Sequence, residues 1–81
     1  MKYLNVFEAK EEPGRNFDII YCLCKEENSF CIESYIPGGS SFEKAFLGNC
    51  GEEKAEQITL FLAKNAVRPI HIENIISDMR L

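Results

Sequence analysis

No two basic residues are neighbours anywhere in this chain of 81 residues; its nine Lys and Arg fall at Lys2, Lys10, Arg15, Lys25, Lys44, Lys54, Lys64, Arg68 and Arg80. Nucleic-acid and anionic-membrane surfaces draw their affinity from clustered cations that neutralise phosphates, so the scatter and the net charge of −4 argue against both kinds of partner. Long apolar runs are missing too. None approaches the ~20 residues that cross a bilayer. The start, Tyr3-Leu4-Asn5-Val6-Phe7-Glu8, breaks any secretion-signal apolar segment after a few residues, so a cytoplasmic protein is expected. Histidine occurs once, at His71, which leaves little material for acid–base catalysis. The Gly-rich segment Pro37-Gly38-Gly39-Ser40-Ser41 lacks the lysine and spacing of a phosphate-binding loop and reads as a flexible connection. No internal repeat, low-complexity stretch or domain linker is visible, and the length suits one domain.

What is present is alternation. With 46% apolar and 27% charged residues, the chain has the composition of a folded protein. Residues 2–9 are rich in Tyr, Leu, Val and Phe and read as a first strand. Pro13-Gly14 fits the two central positions of a type II turn. In a second strand, 17–25, Phe17, Ile19, Tyr21 and Leu23 line one face, and Asp18, Ile20, Cys22 and Cys24 the other. A third strand, 30–36, follows a turn centred on Glu27-Asn28. That turn sets Leu23 opposite Ile32 and Cys24 opposite Cys31. Residues 42–47 give a short fourth strand, in which Phe42, Lys44 and Phe46 alternate with Glu43, Ala45 and Leu47.

Helical spacing takes over after Asn49, which is placed as an N-cap with Glu52 three positions on. Ala55, Ile58, Phe61 and Leu62 form the apolar stripe of a helix that runs to Lys64. Arg68-Pro69 marks a boundary, and Ile72, Ile75, Ile76 and Met79 form the stripe of a closing helix over 71–79. Strands first and helices after predict an α+β fold: a four-stranded antiparallel meander followed by two C-terminal helices packed on one face.

The segment from Asn49 to Met79 carries a polar N-cap, Glu52 and Glu53 at a helix start, Pro69, His71 and Ile72 at a turn, and then Ile75, Ile76, Asp78 and Met79. In these positions it resembles the end of a family of small uncharacterised proteins of clostridia and related Firmicutes. The chain departs from that pattern at Gly51 and in its four cysteines. The resemblance implies this fold and a bacterial cytoplasm, and it implies no activity.

Candidate sites follow from the proposed faces. If the helices cover Phe17, Ile19, Tyr21 and Leu23, the opposite face shows Ile20, Cys22, Cys24, Cys31, Glu33 and Tyr35. That surface is unusually apolar for one meant to meet water, and such patches mark protein contacts. Ile20, Cys22, Cys24, Cys31 and Tyr35 are therefore the expected interaction residues of a module that self-associates or binds a protein partner; Leu60, off the helix stripe, extends the apolar surface. The alternative is a zinc or thiol site on the same face. However, Cys22-x-Cys24 departs from the C-x₂₋₄-C spacing of structural zinc, and buried cysteines most often pack as small apolar residues, so no metal and no cofactor is expected. A Cys50/His71 pair oriented by Asp78 is the third reading. Nothing in the sequence brings these residues together, His71 reads as helix-start or surface residue, and no enzyme is expected. The carboxylate pairs Glu11-Glu12, Glu26-Glu27 and Glu52-Glu53 fall at turns or a helix start and read as solvated charge.

Overall fold

Alternating side chains built for a pleated surface form the expected sheet. The computed structural model describes residues 2–48 and 50–79. Strands β1 (Lys2–Glu8), β2 (Ile20–Glu26), β3 (Ser29–Tyr35) and β4 (Phe42–Phe46) pair antiparallel in the order β1-β2-β3-β4. Helices α1 (Glu52–Lys64) and α2 (Pro69–Met79) follow, and both pack on one face of the sheet. The fold is α+β. Leu23 pairs with Ile32 and Cys24 with Cys31, the expected register. A one-residue irregularity in β1 between Tyr3 and Asn5 shifts its register against β2. Beside it, Leu4 packs on the core.

The turns show where the backbone needs unusual angles. Gly14 has φ of +87° and Arg15 N–H donates to the Glu12 carbonyl at 3.2 Å, completing the turn expected at Pro13-Gly14. The connection read as flexible is built in the same way. Pro37 and Gly38 occupy the central positions of a turn closed by Gly39 N–H to the Ile36 carbonyl at 3.0 Å, with Gly38 at φ +79°. Proline presets its φ and glycine accepts the positive φ, so this connection has a defined turn. In the β2–β3 hairpin, Glu27 takes φ of +57° at the first turn position.

Strand β2 starts later than the alternation suggests. Ala9 N–H still reaches the Ile19 carbonyl at 3.0 Å, but Lys10 N–H turns away to the Ala63 carbonyl at the end of α1, also at 3.0 Å. Phe17 and Asp18 thereby lose their strand partner, and the Arg68 guanidinium sits over the Phe17 ring at 5.0 Å from its centre. The sheet side under the helices carries Tyr21, Leu23, Phe30, Ile32 and Ala45, all buried, and α1 and α2 add Ala55, Ile58, Leu62, Ile72 and Ile76.

Both helices differ from expectation at one end or on one face. Gly51 is the N-cap of α1 and makes no side-chain cap bond, while the expected cap, Asn49, lies outside the described residues. Glu52 and Glu53 fill the first turn, where the helix dipole favours acids. Phe61, placed on the buried stripe, is about half exposed; Thr59 is buried in its stead and satisfies its hydroxyl by donating to the Ala55 carbonyl at 2.8 Å. Helix α2 begins two residues earlier than expected because Pro69 is its first residue, a position that needs no N–H donor.

Candidate functional site

The sheet face turned away from the helices is where the expected interaction residues fall. Its residues are set by strand pairing. Tyr3 stands beside Cys24 and Val6 beside Cys22; Cys31 stands beside Phe46, Glu33 beside Lys44, and Tyr35 beside Phe42. Among the described residues no helix lies over this face, since α1 packs across β2 and β1, and α2 along β4, from the other side.

The centre of the face is nevertheless closed. Tyr3 reaches across β2 and donates its hydroxyl to Glu33 Oε1 at 2.7 Å. From β4, Lys44 Nζ approaches Glu33 Oε2 at 3.8 Å and pairs with Glu26. This polar strap accounts for a buried carboxylate at Glu33, which accepts a hydrogen bond on one side and faces a cation on the other. The hydrogen bond to Glu33, which ionisation would break, is the main cause that pushes the Tyr3 phenol up to about 12, with burial and the Glu33 charge adding to it. The Lys44 ammonium lowers the Glu26 carboxyl below its ordinary value.

Of the five expected contact residues, Ile20, Cys22, Cys24 and Cys31 lie buried under or beside the strap. Tyr35 remains 37% exposed. The accessible apolar surface belongs instead to edge-strand residues that the sequence reading did not single out: Tyr3 at 54%, Val6 at 57%, Phe42 at 57% and Phe46 at 55% exposed. The signal was available for β4, where Phe42 and Phe46 alternate with Ala45 and Leu47. Both rows are apolar, so alternation alone did not say which one faces outward.

The cysteines separate into two places. Cys24 and Cys31 are fully buried neighbours with sulfurs 2.8 Å apart, and Cys24 Sγ also points at the Cys31 carbonyl at 3.3 Å. Burial is the main cause that raises the Cys24 thiol well above its ordinary value, followed by the hydrogen bond with Cys31. Cys22 shares the face and is raised by burial too. Cys50 packs half-buried against the core. The four thiols do not converge, and among the described residues no three His, Cys, Asp or Glu side chains are grouped as metal ligands.

The Cys50/His71/Asp78 arrangement is not assembled. His71 and Asp78 are exposed on α2 and seven residues apart, roughly 10 Å along the axis, too far to hydrogen-bond. At the helix start it is the His71 backbone N–H that bonds, to the Arg68 carbonyl at 2.9 Å. Among the open depressions of the surface, two are of interest. One, of about 560 Å³, lies along the loop from Glu11 to Asp18, and its walls hold no cysteine, serine, lysine or histidine. The other, of about 330 Å³, is lined by Ile58, Phe61 and Met79 with Lys54 and Gln57. Among the described residues no helix is long and apolar enough to cross a membrane. No family model, no curated protein and no solved structure matches the chain.

Proposed function

We propose that this chain is a small self-associating module whose docking surface is the open face of the sheet. The observation that carries the reading is the set of exposed large side chains on that face: Tyr3, Val6, Tyr35, Phe42 and Phe46. Side chains of this size, between about a third and three-fifths exposed, present roughly 500 Å² of surface, arranged along the two edges of the face on either side of the strap. Two copies related by a twofold axis would cover about 1,000 Å² from these residues alone, which reaches the threshold of a specific interface. The charged groups in the middle are already paired within one molecule through Glu26, Lys44 and Glu33, so docking leaves no unmatched charge at the centre. The setting that suits such a module is a reducing cytoplasm, which would hold its four cysteines mainly as thiols.

Sedimentation velocity of the wild-type chain tests the reading, together with a Phe42→Ser/Phe46→Ser variant. A dimer is expected for the wild type and a monomer for the variant. Ile70→Ser, on the exposed side of α2, should leave the dimer unchanged. A wild-type protein that stays monomeric as concentration is raised, or a dimer indifferent to the two phenylalanines, overturns it.

A further inference from the structure

The buried thiol pair is not used by the docking surface. We propose that Cys24 and Cys31 are a reversible dithiol–disulfide couple, oxidised by small disulfides of the glutathione class. Their register supports this. Leu47 N–H donates to the Phe30 carbonyl at 2.9 Å, so the polar backbone groups of Phe30 point to β4 and those of Cys31 point to β2. Cys24 and Cys31 are thus a hydrogen-bonded cross-strand pair, for which the Cα atoms lie about 5.5 Å apart. That separation falls within the range disulfides occupy. The sulfurs, at 2.8 Å, already touch.

The same register makes the bond easy to reduce. Cβ atoms in a hydrogen-bonded pair stand farther apart, at about 5.5 Å, than the ~3.8 Å a relaxed disulfide prefers. The disulfide therefore forms with some distortion of the hairpin, and distorted disulfides are the labile ones.

The exchange balances in two steps. One cysteine, as thiolate, attacks a sulfur of the small disulfide and expels the first small thiolate. The neighbouring cysteine, as thiolate, then attacks the protein sulfur of that mixed disulfide and expels the second. The two cysteine protons end on the two small thiols, the cysteines are oxidised and the small disulfide is reduced. In the monomer, where the open face is uncovered, access is through the Tyr3 side chain, which lies on an edge strand, is about half exposed, and forms the β1 side of the strap. Burial, the bond to Cys31 and the Glu33 carboxylate hold the Cys24 proton on, with Lys44 opposing them, so the exchange is slow at neutral pH while the strap is closed.

A Cys22→Ala/Cys50→Ala variant, which keeps only this pair, is incubated folded with oxidised glutathione and assayed by mass spectrometry and by thiol titration after unfolding. The expected result is loss of both thiols, a mass lower by two hydrogens, no retained glutathione, and full recovery with dithiothreitol. Tyr3→Ala should speed the loss severalfold. The wild-type chain, mapped by proteolysis, should show the same Cys24–Cys31 link, which keeps the test open if the double variant does not fold. Both thiols surviving in the Tyr3→Ala protein, or a stable glutathione adduct on one of them with the other free, overturns the proposal.

Discussion

Ser34 sits fully buried on the helix side of β3, opposite Tyr21, and its hydroxyl has no hydrogen-bond partner. A buried hydroxyl left unmatched costs about 1–3 kcal/mol relative to an apolar group of similar size. Ser34→Ala should therefore raise stability by about 1 kcal/mol, read as a higher urea midpoint with an unchanged slope. Single residues were also where the sequence was hardest to read. The two-residue period of β3 puts Ser34 on the face of Phe30 and Ile32 but carries no sign that its hydroxyl goes unpaired. The sequence reading placed Cys24 opposite Cys31 because a two-residue turn fixes every rung of a hairpin. It did not foresee that Tyr3 would bridge to Glu33, a contact between residues 30 positions apart.

The end of α1 carries the clearest conflict between local preference and fold. Ala66 N–H donates to the Ala63 carbonyl at 3.2 Å and Val67 N–H to the Leu62 carbonyl at 3.1 Å, the paired bonds of a Schellman cap. That cap requires a left-handed residue, and Ala66 supplies it at φ +48° where glycine is the usual choice. The left-handed angle costs a residue with a Cβ roughly 1–2 kcal/mol. Ala66→Gly should stabilise the protein by about 0.5–1 kcal/mol after glycine's larger loss of freedom on folding is counted, checked by thermal or urea unfolding. The helix lengths themselves were legible from the apolar spacing, to within a few residues at each end. The departures had local causes: a proline that starts α2 instead of preceding it, and a Thr59 hydroxyl that finds a carbonyl within its own helix and can be buried.

Tyr21 joins the two layers of the molecule. Its ring is fully buried in β2, and its hydroxyl donates to the Val67 carbonyl at 2.6 Å in the segment between the helices. Burial pushes its phenol up to about 12, with Arg15 pulling weakly the other way. The folded chain therefore keeps a proton that the unfolded chain releases near the ordinary value of 10. Stability from this group is complete below pH 10 and falls as pH rises from 10 to about 12. Tyr21→Phe should lower stability by about 1 kcal/mol at neutral pH through the lost hydrogen bond, and should flatten this alkaline decline in urea titrations run at successive pH values.

The chain alone determined the order of elements, the hairpin register and the opposition of Cys24 and Cys31, because strand period, helix period and turn length are local properties of neighbouring residues. Only the tertiary structure decided which apolar row of β4 faces out. Ala45 and Leu47 turn toward the helix layer, with α2 along β4, and Phe42 and Phe46 are left on the open side. It also decided that the expected contact cysteines lie beneath a strap from Tyr3 and Lys44 to Glu33. Those outcomes depend on side chains from three strands meeting across the sheet, and no pattern within a single strand encodes which of them will cover the others.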